Sequence, residues 1–268
     1  MNRESFFEKE EQSEKFSALT EQDKEHVIRI VKSLDLPASH IIDELHQEIR
    51  AGKYELIIGD DASGRIPALI LGGVIRNINE AQGKPPPEIR FVAGSGQWSE
   101  YEGRAEKEEK VSRYIARLFD SFNKKTGHKP KRVLVATDLI GYGTSLGPLI
   151  TALQENTATF DVATMYIGSD TRREGLESSW GTKIVNGDGG EIYGNRDMGG
   201  VVKLPEELFS HLLKKERGTE EDKRVAQQTV NFAREQTALI VQELTEDFLK
   251  RYGNKPQKAR LPKIKTRL

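Results

Sequence analysis

Between residues 54 and 170 the chain alternates between short apolar runs rich in β-branched residues and longer amphipathic segments, a pattern that leaves few folds open. "YELII" from Tyr54, "EIRFVAGSG" from Glu88, "KRVLVATDL" from Lys131 and "TFDVATMYIGSD" from Thr159 read as strands. The apolar segment starting at about Ile66, then "SRYIARLFDSF" and "SLGPLITALQEN", read as the helices between them. Strands this apolar must be covered on both faces, and strand–helix repetition provides the cover. The expected fold class is therefore α/β, with a mainly parallel twisted sheet and helices on both faces. Such sheets bind ligands at the carboxyl ends of their strands.

The flanks are expected to be helical or irregular. Residues 1–26 form a charged arm without long periodicity, expected to be frayed or disordered. "HVIRIVKSL", a break at Pro37 and "SHIIDELHQEI" suggest two short capping helices, and Ile41, Ile42, Leu45 and Ile49 share a face of the second. Together with the sheet they make one domain over 27–205. Its last part, "NGDGGEIYGNRDMGGVVKLP", is too glycine-rich for anything but a loop or short hairpin.

A C-terminal extension over 206–252 carries a helix from 219, opened by Thr219 with Asp222, with Val230, Ala233, Ile240, Leu244 and Phe248 along one side. A stripe of that length suggests packing on a partner chain or a sheet edge, and so a homodimer. The tail, 253–268, has basic residues and no acids. It is either solvated or a contact for nucleic acid or an acidic partner.

With 41 basic and 42 acidic residues the chain has no global field to draw it to nucleic acid or an anionic membrane. It has no cysteine, which excludes disulfides, thiolate metal sites and cysteine nucleophiles. No apolar run approaches the length of a membrane span, and the expectation is a soluble, cytoplasmic protein. The five histidines show no spacing of a metal site or catalytic triad.

The third strand leads into "DLIGYGTSLGPLI", where glycines and hydroxyls precede a helix. Backbone N–H groups there, with the positive end of the helix dipole, suit a phosphate. Three familiar motifs fail. There is no Gly-Lys-Ser/Thr here or at "GDDASGR"; position 146 is Leu where the dinucleotide fingerprint has its third glycine; and Asp61 and Arg65 stand where a nucleophile elbow around Ser63 needs glycines.

The segment Val133-Leu134-Val135-Ala136-Thr137-Asp138-Leu139-Ile140-Gly141-Tyr142-Gly143-Thr144-Ser145 resembles the phosphoribosyl-diphosphate (PRPP) loop of the type I phosphoribosyltransferase family. Upstream, Gly59-Asp60-Asp61-Ala62-Ser63-Gly64-Arg65 is similar in position and in both end glycines to that family's diphosphate loop. Between them, "GSGQWSEYEGRAEKEEK" falls where the family carries a mobile catalytic loop. The similarity spans roughly residues 40–170. In this chain Thr137 replaces the first of two paired acids, Gly141 occupies a position that holds an Asp base in some members, and Tyr142 adds bulk where Thr or Ser is usual.

The resemblance implies Mg²⁺-dependent transfer of a phosphoribosyl group from PRPP, or use of another ribose phosphate, with a nucleobase-like acceptor. It assigns the catalytic position to Asp138 and substrate binding to Thr137, Gly141, Tyr142, Gly143, Thr144 and Ser145, and to Asp61, Ala62, Ser63, Gly64 and Arg65. It assigns the metal to Asp138 and Asp61. A protein that senses PRPP or a nucleotide without turnover is the alternative, and a hydrolase of ribose phosphates is a third reading.

Simpler roles stay open at several of these positions. Asp138 would serve equally to cap a turn, and Arg65 and Arg104 to solvate the surface. Trp180 or Tyr193 would stack on a base or pack in the core. Gly194-Asn195-Arg196-Asp197 would read a base edge or hold a turn.

Overall fold

A computed structural model describes residues 16–60, 64–92, 104–189, 201–202, 211–212 and 219–253. The helices are α1 (Glu21–Lys32), α2 (Asp35–Glu44), α3 (His46–Ala51), α4 (Arg65–Ala81), α5 (Arg104–Thr126), α6 (Gly147–Glu155), α7 (Asp170–Trp180) and α8 (Glu220–Tyr252). The strands are β1 (Tyr54–Asp60), β2 (Glu88–Val92), β3 (Arg132–Ile140), β4 (Phe160–Ile167), β5 (Ile184–Asn186) and the short pair β6 (Val201–Val202) and β7 (His211–Leu212).

The main sheet has five strands in the order β2-β1-β3-β4-β5, all parallel, so the α/β class expected from the alternation is the class observed. Along β3, Leu134 and Ala136 enter one core cluster and Val133 and Val135 the other. The first cluster is roofed by α4 with the N-terminal helices and α8; the second by α5, α6 and Trp180 of α7. Apolar residues at successive positions thus serve two faces, and the strand reads as a continuous apolar run for that reason. Antiparallel β6 and β7 form a small separate pair inside the glycine-rich region.

The N-terminal helices begin earlier than the apolar pattern at Val27. Thr20 and Asp23 form a capping box that starts α1 at Glu21, and Phe16 and Leu19 ahead of it are buried. Pro37 does not break the chain. The break falls at 33–34, and Pro37 lies in the first turn of α2, where a missing N–H costs little. Three helices occupy the span expected to hold two.

α8 buries one side in the first core cluster. Phe232, Ala233, Ile240, Val241, Leu244 and Phe248 are buried in the same cluster as α4 and the N-terminal helices, while Val230 is only half-buried. A Cβ placed on Gly73 of α4 would meet Val241 at 2.8 Å, Asn77 donates to Thr245 at 3.3 Å, and the rings of Phe16 and Phe232 meet edge-on at 5.1 Å. The far end is pinned by Arg251 on both carboxylate oxygens of Asp43 (2.5 Å each) and by Tyr252 stacked on His46. The apolar stripe, expected on a partner chain or a sheet edge, is thus covered from within the chain by α4 and the N-terminal helices. The reason is length: a 33-residue helix runs about 50 Å, enough to cross both α4 and α1. The side chain of Asp222, expected in a cap with Thr219, lies outside the described residues.

At the amino end of the sheet, Arg132 grips Asp161 through Nε (2.5 Å) and a terminal nitrogen (2.7 Å), and the Tyr54 hydroxyl donates to the same carboxylate at 2.7 Å. Three adjacent strands are tied by this buried group. Burial, with the Asp161 charge beside it, pushes the Tyr54 hydroxyl far above its ordinary pKa, and the hydrogen bond to Asp161 raises that of Arg132. No helix among the described residues is long and apolar enough to cross a membrane.

Candidate functional site

The connections leave β1 in opposite senses. α4 carries the chain from β1 to the β2 edge across one face, whereas α5 and α6 build the rest of the sheet across the other. The strand order therefore reverses between β1 and β3. In open α/β sheets such a switch point leaves a crevice outside the carboxyl ends of the two strands. Both motif-bearing loops leave the sheet here.

On the β1 side, Asp60 is the last strand residue and only 2 % exposed, where the sequence suggested a loop carboxylate. The Gly64 N–H donates to the Asp60 carbonyl at 2.6 Å. A Cβ at Gly64 would lie 2.3 Å from the Ala136 carbonyl oxygen of β3, so this turn settles on the neighbouring strand only because residue 64 has no side chain. Arg65 opens α4, with its guanidinium carbon 4.9 Å from the centroid of the Phe91 ring. Asp61, Ala62 and Ser63 lie outside the described residues.

On the β3 side, Thr137 and Asp138 are buried at 1 % and 6 % exposure. Alternation as it runs up to Ala136 puts Asp138 on the side of Leu134 and Ala136 and Thr137 on the opposite side, while Ile140 at the strand end enters the second cluster. Asp138 Oδ1 accepts the N–H of Leu139 at 2.7 Å. A carboxylate accepts several hydrogen bonds, and this one helps to orient the group. Behind it, Thr164 of β4 pairs in register with Thr137, and its hydroxyl donates to Tyr166 O at 2.8 Å with Asp138 O at 3.4 Å.

The loop itself turns on Gly143, whose φ of 78° is left-handed. Leu176 and Trp180 of α7 stand 2.8 and 2.9 Å from where its Cβ would be, so Trp180 is a core residue supporting the loop. The Gly143 carbonyl accepts from Leu146 and Gly147 as α6 begins, and Leu146 supplies no side-chain cap. Thr144 is exposed and Ser145 half-buried, and a Cβ at Gly141 would meet nothing within 4 Å. Tyr142 does not crowd the loop as expected from its bulk. Its side chain is 81 % exposed and rests on Arg172 of α7, 4.8 Å from the ring centroid.

The structure thus brings Thr137, Asp138, the 141–145 loop, Gly64 and Arg65 to neighbouring strand ends. Arg234, half-buried on α8, has its pKa lowered by burial and then by the charge of Arg65, and no local pattern in the sequence marks it. Residues 93–103 and 190–200, including Tyr193 and Gly194-Asn195-Arg196-Asp197, lie outside the described residues. From Arg104 the polar stretch expected to be a mobile loop is helical, the first turns of α5.

His40 holds the Gly187 carbonyl at 3.0 Å and His46 stacks on Tyr252, both structural contacts. No group of three or more potential metal ligands occurs among the described residues. Asp138 is an oxygen donor of the kind Mg²⁺ uses, an ion that takes one or two protein carboxylates and completes its shell with ligand phosphates and water.

Fold and loop placement define the class: a doubly wound, all-parallel α/β protein with two glycine-bearing loops flanking its switch point. No protein-family model and no curated protein matches the chain.

Proposed function

We propose that the protein binds PRPP or a related ribose phosphate at the switch point and transfers the phosphoribosyl group to a nucleobase-like acceptor, as a type I phosphoribosyltransferase-like enzyme. One observation carries the reading. The two loops that resemble the family's PRPP and diphosphate loops leave adjacent strands on either side of the reversal, and Gly64 of one rests on Ala136 of the strand that feeds the other.

In this reading the 5-phosphate occupies the loop 141–145. Backbone N–H groups and the hydroxyls of Thr144 and Ser145 donate to its oxygens, at the positive end of α6. Asp138 accepts from the ribose hydroxyls, and its negative charge favours the cationic character that develops at the anomeric carbon. The acceptor nucleophile forms a bond to that carbon as the carbon–oxygen bond to diphosphate breaks. The electron pair leaves on diphosphate and the acceptor's proton passes to solvent. Mg²⁺, held through Asp138 and Asp61, would neutralise diphosphate and make it a better leaving group.

The second reading, binding without turnover, is favoured by Thr137. It is buried where the resemblance calls for a second acid, and the crevice so has one carboxylate fewer for the cationic carbon. The experiment is a calorimetric titration of PRPP with and without Mg²⁺, followed by an assay of diphosphate release with a panel of bases. Binding with base-dependent release supports transfer, release without a base supports a hydrolase, and binding alone supports the sensor. Absence of binding overturns all three.

A further inference from the structure

The outer side of α8 and the residues that follow the helix carry opposite charge. From Gln236 to Leu249 the helix has the acids Glu243, Glu246 and Asp247 and no base. Residues 254–268 have the bases Lys255, Lys258, Arg260, Lys263, Lys265 and Arg267 and no acid. The three acids of α8 are exposed, and so is Leu239, one turn before Glu243, a large apolar side chain left 55 % in solvent. Asp247 reaches Arg251 at 2.7 Å and Glu246 accepts from Gln242 at 3.0 Å, while among the described residues no ion pair joins Glu243 to a base. The bases at the helix end are Lys250 and Arg251, and Arg251 is taken up by Asp43 and Asp247. Asp35, half-buried at the start of α2, feels the same negative field: burial first, and then the charges of Glu243 and Asp247, raise its pKa.

Chain length fits the match. α8 ends where the Gly253 N–H meets the Leu249 carbonyl at 2.9 Å, and Pro256 and Pro262 do not suit a helix interior. Counted back along α8 from Tyr252, Glu243 lies about 14 Å and Leu239 about 20 Å away. An extended chain leaving Gly253 covers about 16 Å by Lys258 and about 25 Å by Leu261. A segment that reverses at Gly253 therefore passes its first bases over Asp247, Glu246 and Glu243 and brings Leu261 level with Leu239, with a few ångströms to spare for the turn.

We propose that residues 254–268 fold back and dock on the outer face of α8, their bases against Glu243, Glu246 and Asp247 and Leu261 against Leu239. The acidic partner of the basic tail is then α8 of the same chain. Docking through exposed charges and one leucine is shallow and reversible, so it adds little to global stability and weakens as salt screens it. It is independent of what binds at the switch point.

The chain has no cysteine, so a pair introduced into the full chain reports on its own contact. Leu239→Cys with Leu261→Cys is compared, under mild oxidation, with Ala51→Cys and Leu261→Cys. Ala51 is exposed at the end of α3, whose first residue, His46, stacks on Tyr252, so the control lies within reach of the same tail. Docking predicts an intrachain disulfide that forms at least about tenfold faster in the Leu239→Cys pair than in the control at low salt. That advantage should vanish in roughly 1 M salt, and shrink severalfold when Glu243→Gln and Glu246→Gln are added. All these positions on α8 are exposed, and an unchanged far-UV helix signal checks that the variants fold. Equal rates for the two pairs overturn the docking and leave the tail to solvent, nucleic acid or another acidic protein. Disulfides that join two chains, at a rate rising with protein concentration, overturn it in favour of a second copy on this face. An advantage indifferent both to salt and to the glutamine variants overturns the charge match on which the proposal stands.

Discussion

Gly64 presses against the carbonyl oxygen of Ala136, with 2.3 Å between that oxygen and the place a Cβ would take. Its own φ of −80° is one any residue adopts, so the demand for glycine comes from the neighbouring strand alone. Gly64→Ala is expected to cost about 1–3 kcal/mol as overpacking against rigid backbone. It is also expected to weaken PRPP binding by displacing Arg65. Gly147→Ala is the stability control: its Cβ would enter open space at the start of α6, and the expected change is neutral or stabilising by up to about 1 kcal/mol. Urea midpoints of the two variants decide the point, and equal midpoints would remove the steric argument.

The Tyr54–Asp161 hydrogen bond at the opposite end of the sheet sets an alkaline limit on stability. Tyr54's pKa is raised in the folded protein, chiefly by burial and then by the Asp161 charge, while in the unfolded chain it is about 10. The folded state therefore keeps a proton that the unfolded state loses above that value. Stability is intact below about pH 10 and falls by up to about 1.4 kcal/mol per pH unit above it. Tyr54→Phe should lack this slope. Paired urea curves at pH 9 and pH 11 measure it, and identical losses in the two proteins would free Tyr54 of the role.

Much of this arrangement is legible in the chain, and the illegible parts share a cause. β1, β3 and β4 announce themselves because a strand buried on both faces must be apolar at nearly every position, whereas β2, at the sheet edge, shows in alternation instead. β5 is three residues long and α7 buries only Trp180, so neither leaves enough periodicity to see. The 141–145 loop is readable because its glycines and hydroxyls are contiguous. The charge of Arg65 acting at Arg234 is not, since it depends on a helix register set between residues far apart in sequence. The stripe on α8 was visible, but an apolar stripe does not say which surface it covers.

That surface gives a prediction that separates core from interface. Val241 is buried against Gly73, whereas Leu239 is 55 % exposed on the outer side of α8. Val241→Ala should cost about 2 kcal/mol by opening a cavity, and Leu239→Asp should change stability by less than about 0.5 kcal/mol. Urea unfolding measures both. A reversed order would mean that α8 presents its outer face to a second chain.

Asp138 is the residue on which the functional reading turns. It lies near the end of β3, 6 % exposed, with its Oδ1 on the Leu139 N–H. Were it there only to hold that turn, Asp138→Asn would leave an oxygen for the same N–H, and Asp138→Ala would cost about 1 kcal/mol of stability with no effect on ligand. As the group that faces the ribose it makes a different prediction. Asp138→Ala should abolish measurable PRPP binding while the far-UV helix signal is kept, and Asp138→Asn should bind PRPP more weakly and lose the dependence on Mg²⁺, because the amide carries no charge for the ion. Calorimetry of both variants with and without Mg²⁺ reads this. An affinity unchanged in folded Asp138→Asn, with the Mg²⁺ dependence intact, would move the ribose away from β3.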